Sequence, residues 1–179
     1  MTTNSLEVEE PQVSAESPAA RFDAAALGDK ARMAVDVLSG ILERMGLEGQ
    51  VVRVAEQERI EIEIAGPDAG RLIGKKGQTL DALQFLMNKI INRDRDGRKP
   101  IVVDSEGYRV RRADSLVELA LRLGEKAVRT HRTITVNPMS PHDRRIIHLA
   151  LDKVPGVTTR SEGEGAFRRL LIIPEPDKL

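Results

Sequence analysis

Residues 72–80 read Leu72-Ile73-Gly74-Lys75-Lys76-Gly77-Gln78-Thr79-Leu80, and this stretch decides the fold. Two glycines bracket two lysines, with an aliphatic pair before them and a leucine after. The bare Gly-x-x-Gly spacing is weak, since 14 glycines in 179 residues give about one by chance. The chain carries a further example, Gly46-Leu47-Glu48-Gly49, which sits where a helix stops and a strand starts and reads as a cap plus a turn. Gly74–Gly77 differs in context, because it falls between two helical segments and both of its middle residues are cationic. Glycines remove Cβ atoms, so a sugar-phosphate chain can approach the main chain closely. A helix starting near Gln78 aims unpaired N–H groups and its positive dipole end at the loop. Lys75 and Lys76 add point charges for phosphate. The plain structural alternative is a tight helix–helix turn with two solvated lysines.

Working outward, Ala34, Val37, Leu38, Ile41, Leu42 and Met45 keep i, i+3, i+4, i+7 spacing, which predicts a helix over 30–45. Gly46 stands where a left-handed helix stop belongs. Residues 51–55 and 60–65 read as short strands with a turn at 57–59. The second alternates Ile60, Ile62 and Ile64 with Glu61 and Glu63. Past the loop, Leu80, Leu83, Met87, Ile90 and Ile91 mark a helix ending near Asn92. A polar loop over 94–100 leads to the strand Ile101-Val102-Val103-Asp104. The order over residues 30–105 is α-β-β-α-α-β.

A long helix is expected from Gly107 to Thr130, with Ala113, Leu116, Val117, Ala120, Leu123 and Ala127 at helical spacing. Its other face carries Arg109, Arg111, Arg112, Arg122, Lys126 and Arg129, continuing to Arg132. Thr133 to Val136 reads as a strand. Ser140-Pro141-His142-Asp143 is a helix start, with serine as cap, proline at the first position and an acid three residues on. Arg144 and His148, four apart, share one face of that helix. A cation and an imidazole projecting together can bind a phosphate or a base edge, and a solvated face with an incidental histidine is the bland alternative. Strands at 157–160 and 169–173, joined through Ser161-Glu162-Gly163-Glu164-Gly165, complete an α-β-α-β-β unit.

Composition narrows the class. The chain holds 28 Lys+Arg and 28 Asp+Glu, a formal charge of zero. That balance hides an acidic start, because residues 1–30 hold six acids and two bases. Residues 101–179 hold 14 bases and 11 acids, an excess that allows nucleic-acid binding through local patches without demanding it. The absence of cysteine excludes disulfides and thiolate chemistry. Aromatic residues are 2 % of the chain, which disfavours modules that stack bases on exposed rings. No apolar run approaches the roughly 20 residues of a membrane span. Met1–Glu10 lacks the basic-then-apolar pattern of a secretory signal, so a cytoplasmic protein is expected. His131, His142 and His148 have no HExxH spacing, there is no Walker A loop, and Ser161 has no nucleophile-elbow context. An enzyme is not expected, and no cofactor or metal is implied.

The stretch 72–80 and the α-β-β-α-α-β order resemble a KH domain of the bacterial, type II arrangement. In KH domains the loop clamps about four nucleotides of single strand, with bases in an aliphatic groove. The resemblance makes Gly74, Lys75, Lys76 and Gly77 the backbone contact and Ile73 and Leu80 groove candidates, each of which is alternatively plain core. Arg71 can reach phosphate or be a solvated helix-end residue. Pro138 to Leu151, then Thr159-Arg160-Ser161-Glu162-Gly163-Glu164-Gly165 and Arg168-Arg169, resemble the single-strand-binding domain named for its Arg-x-x-x-His motif. That resemblance places Arg160 and Arg168 near the helix that carries Arg144 and His148, if the strands pair as in that fold. The two units in this order, joined by a long helix, are similar to the Jag family of bacterial RNA-binding proteins.

The expected protein is α+β. A disordered acidic tail spans 1–29, a KH domain 30–105, and an Arg-x-x-x-His domain with its leading linker helix 106–176. Family membership implies single-stranded RNA as ligand and a chaperone-like or post-transcriptional role. It also implies links to cell elongation and cell-wall synthesis, and pairing with a small single-KH protein or self-association through the KH face. A protein-interaction scaffold is the rival class.

Overall fold

The isoleucine–glutamate alternation of residues 60–65 builds the central strand of the first sheet. The structure, a computed structural model, describes residues 27–94 and 97–175. The tail expected over 1–29 therefore lies outside the described residues except for its last three. Helix α1 spans Asp29–Arg44, one residue ahead of the expected start. It is followed by β1 (Gln50–Glu56), β2 (Ile60–Ala65), α2 (Ala69–Ile73), α3 (Gln78–Ile91) and β3 (Ile101–Ser105). β1 pairs antiparallel with β2, and β2 pairs parallel with β3, matching Ile60, Ile62 and Ile64 to Ile101, Val103 and Ser105. A parallel pair needs a crossover, and α2 with α3 supplies it. Leu38, Leu80, Leu83 and Met87 from the helices close over Ile60, Ile62 and Ile101 to form the first core.

Strand β3 would be a bare edge without α3. Asn92, Asn88 and Gln84 stand four apart on that helix and reach the strand backbone at Lys99, Ile101 and Val103. Asn92 accepts from Lys99 N–H (3.1 Å) and donates to Lys99 O (2.7 Å). Asn88 accepts from Ile101 N–H (2.9 Å) and donates to Ile101 O (2.6 Å). Gln84 accepts from Val103 N–H at 3.1 Å. Four helical residues rise about 6 Å and two strand residues about 6.7 Å, so the two repeats keep step.

Helix α4 (Tyr108–Thr130) belongs to both units. At its start, Tyr108 packs against the first core. Arg109 donates to Val103 O (3.0 Å) and to Asp81 (2.9 Å). Further along, Leu116, Ala120 and Ala127 enter a second core with Ile147, Leu151, Leu170 and Ile172. That core lies under β4 (Ile134–Val136), α5 (Pro141–Leu151), β5 (Val157–Glu162) and β6 (Arg169–Pro174), with sheet order β4-β6-β5 and every pair antiparallel. Ser140 caps α5 as its sequence predicts, accepting from Asp143 N–H at 3.1 Å. The basic face read for the long helix is corrected at two positions. Arg109 is folded back onto α3 and β3, and Arg112 is paired with buried Asp143 at 2.7 Å.

Candidate nucleic-acid interface

The Gly74–Gly77 loop is set by three left-handed residues, Gly74 (φ 69°), Lys76 (φ 57°) and Gly77 (φ 82°). The loop makes a single 3-10 turn, with Gly77 N–H to Gly74 O at 3.4 Å and Gln78 N–H to Lys75 O. Neither bond uses the N–H of Lys75 or Lys76. Both lysine side chains are exposed, and neither has an ion-pair partner among the described residues. The glycines are required from inside the protein. A Cβ on Gly74 would fall on Thr79 Oγ1, and one on Gly77 would lie 2.7 Å from the Tyr108 ring. Gly77 is buried, so its lack of a side chain admits a ring of this chain rather than a ligand. Burial by this packing pushes the Tyr108 hydroxyl above its ordinary pKa.

Of the residues around the loop, Arg71 is exposed and reaches Asp68 at 3.0 Å. The Asp68 carboxyl is held below the ordinary carboxylate range, first by Glu48 N–H (2.8 Å) and then by Arg71. This ties the loop before β1 to the start of α2 and so fixes where the glycine loop begins. Ile73 is half-buried beside the loop. Leu80 is 0 % exposed and sits in the first core, so its side chain has no surface for a base. The core alternative is the one the structure realises there.

In the second unit, Arg144 and His148 do share a face of α5, and that face meets β5. Arg144 Nη1 donates to Ser161 Oγ at 2.9 Å, and His148 Nδ1 meets Thr159 Oγ1. Arg144 Nε is enclosed with no hydrogen-bond partner among the described residues. Thr159 and Ser161 point toward α5, so strand alternation sends Arg160 to the opposite face of the sheet. Arg160 therefore follows the helix-facing residues in sequence but does not face Arg144 and His148. Arg168 lies in the β5–β6 hairpin, exposed and without a side-chain partner among the described residues.

Sequence reasoning missed the connection between the sites. Tyr108 packs on Gly77; one turn on, Arg112 grips Asp143, which neighbours Arg144. The four-residue spacing of Tyr108 and Arg112 was visible, but their partners, each 31 residues away and on opposite sides in the chain, were not. Among the described residues no group of three or more His, Asp or Glu can hold a metal ion. No described helix is long and apolar enough to cross a membrane.

Comparison with known proteins finds two family models on the chain. Residues 33–103 match the KhpA/KhpB KH domain family, and residues 114–174 match the domain family named for its Arg-x-x-x-His motif. The RNA-binding protein KhpB of Clostridium symbiosum is 38 % identical over 141 residues, covering 78 % of this chain and 64 % of the relative. The RNA-binding protein KhpB of Bacillus subtilis is 35 % identical over 137 residues, covering 75 % of this chain and 66 % of the relative. The chain thus spans just under two thirds of the length of these relatives. With both domains matched in the same order around one connecting helix, this chain belongs to the bacterial KhpB/Jag family.

Proposed function

We propose that the chain binds single-stranded RNA at two places and does no chemistry on it. The observation that carries this is the pair of exposed ammonium groups of Lys75 and Lys76, free of ion pairs among the described residues, on a left-handed turn at the N-terminus of α3. Arg144 and His148 add a second grip on α5, with Arg168 at the hairpin beyond it. The names of the KhpB relatives support RNA as the ligand. Two weak sites on one chain gain through effective concentration when the spacer fits both. Backbone contacts carry little sequence information, so specificity is low. Such a binder fits an RNA chaperone or post-transcriptional regulator in the cytoplasm, serving cell elongation and wall homeostasis.

Replacing Lys75 and Lys76 by Asp is expected to weaken binding to a single-stranded RNA pool several-fold or more while helicity stays unchanged. Affinity should fall with salt at a slope of about −0.7 per phosphate neutralised. Arg144→Ala should lower affinity separately. Unaltered affinity in the lysine variant, or a flat salt response, would remove the loop from the interface.

A scaffold role is favoured by one observation. Phe85, Leu86 and Ile90 leave an exposed apolar face on α3, fit for a small single-KH partner or a second copy. Co-purifying nucleic acid, seen as raised absorbance at 260 nm, separates the readings, because one Tyr and no Trp absorb little near 280 nm.

A further inference from the structure

Few aromatics argued against base stacking, yet the decisive quantity is where they stand. Phe167 is 83 % exposed, the most exposed large apolar side chain among the described residues. Phe85 is also exposed, at 61 %, but Lys89 already lies 5.5 Å from its ring centroid. Among the described residues no such cation covers Phe167.

The ring is held out by a built turn. Gly163 (φ 87°) and Gly165 (φ 53°) reverse the chain after β5, and residues 165–167 form a 3-10 turn. Phe167 N–H donates to Glu164 O (3.2 Å) and Arg168 N–H to Gly165 O (3.3 Å). At the base, Glu162 and Arg169 face each other across the strands and pair at 2.8 Å. Phe167 flanks an open groove whose other lip is Asn137-Pro138 at the end of β4. Glu162 directly follows Ser161, which holds Arg144. Strand alternation therefore places Glu162, and with it the groove, on the face of the sheet opposite α5.

We propose that Phe167 is a base-stacking contact of the second unit. An unpaired nucleobase lies on its ring in the groove toward Asn137-Pro138, while Arg168 meets an adjacent phosphate. This rests on the single-stranded RNA reading above and deepens it. The charges favour this occupant. Arg169 compensates Glu162, Arg168 and Glu164 leave the tip near neutral, and the attraction comes from the ring face. Every base offers a π face, so such a contact adds affinity with little sequence preference. It also explains how a chain poor in aromatics can engage bases as well as phosphates.

The test uses the full chain and a short oligouridine, with a strand of the same length lacking bases as control. Phe167→Ala is expected to weaken oligouridine binding about tenfold or more, leaving the salt slope unchanged. Phe167→Leu should not restore it, and Phe167→Trp should. Because the chain has no Trp, that variant carries a single indole, whose fluorescence should be quenched by oligouridine and not by the base-free strand. The base-free strand should bind wild type and Phe167→Ala alike. If wild type binds oligouridine and Phe167→Ala or Phe167→Leu binds equally well, stacking is overturned and the ring is left to a protein contact. If wild type binds no oligouridine, the RNA reading itself falls.

Discussion

The Gly74–Gly77 loop and helix α5 present their cations in opposite ways. In the loop the backbone is specialised, with three left-handed residues in four, and the lysine side chains are free of ion pairs among the described residues. On α5 the backbone is regular and the side chains are engaged, Arg144 with Ser161 and His148 with Thr159. The loop thus separates shape from charge, so its lysines can change without disturbing the fold. The helix merges them, because Arg144 helps to join α5 to β5 and holds any ligand from that seam. The support differs likewise, with Tyr108 packing beneath the loop and the buried Arg112–Asp143 ion pair beneath the helix.

Three measurements break or sharpen this contrast. The largest effect is expected for Arg112→Ala, which leaves Asp143 buried without its counter-charge and should cost about 3–5 kcal/mol. A fall in the urea midpoint reads it; an unchanged midpoint would mean that the second unit does not depend on that pair. Next, Gly77→Ala should cost about 2 kcal/mol, since it forces a side chain into left-handed backbone and against the Tyr108 ring at 2.7 Å. It should lower RNA affinity as well, whereas Lys75→Ala should leave the unfolding free energy read from urea within about 0.5 kcal/mol of wild type. Equal midpoints for the two variants would erase the separation of shape from charge. The smallest effect is a pH dependence. The pKa of Asp68 is depressed in the folded chain, so its contribution is present above the ordinary carboxylate pKa and lost as pH falls through the lowered value. Asp68→Asn should be less stable than wild type at neutral pH, with the gap closing below about pH 4. A gap independent of pH would show that the Asp68 charge does not hold the loop's approach.

Element order was legible because it rests on local signals. The glutamate–isoleucine alternation set β2, and Ser140-Pro141 set the start of α5. Gly46, at φ 62°, stands just past α1 as a left-handed stop. What stayed hidden depends on neighbours distant in sequence. Helical spacing shows that Arg109, Arg112 and Arg122 are not apolar-face residues, but it does not reveal that α3 and α5 supply carboxylates to the first two. Leu80 has the same composition signal as core or as groove floor, and only the closure of α3 over β2 separates these. Alternation along β5 would have placed Arg160 opposite Ser161, had the residue facing α5 been known. Composition gives Phe167 only as one of few aromatics, and its place on the β5–β6 hairpin is what leaves it exposed.

The amide ladder of Gln84, Asn88 and Asn92 has a consequence for assembly. With Arg109 on Val103 O, it occupies the outward N–H and C=O groups of Lys99, Ile101 and Val103 as a neighbouring strand would, while among the described residues β1 pairs on one side only. The first sheet is therefore sealed at one border and unfinished at the other. Among the described residues the open border lies beside β1, so two copies joined there would close this sheet as a pair instead of running on into a fibre.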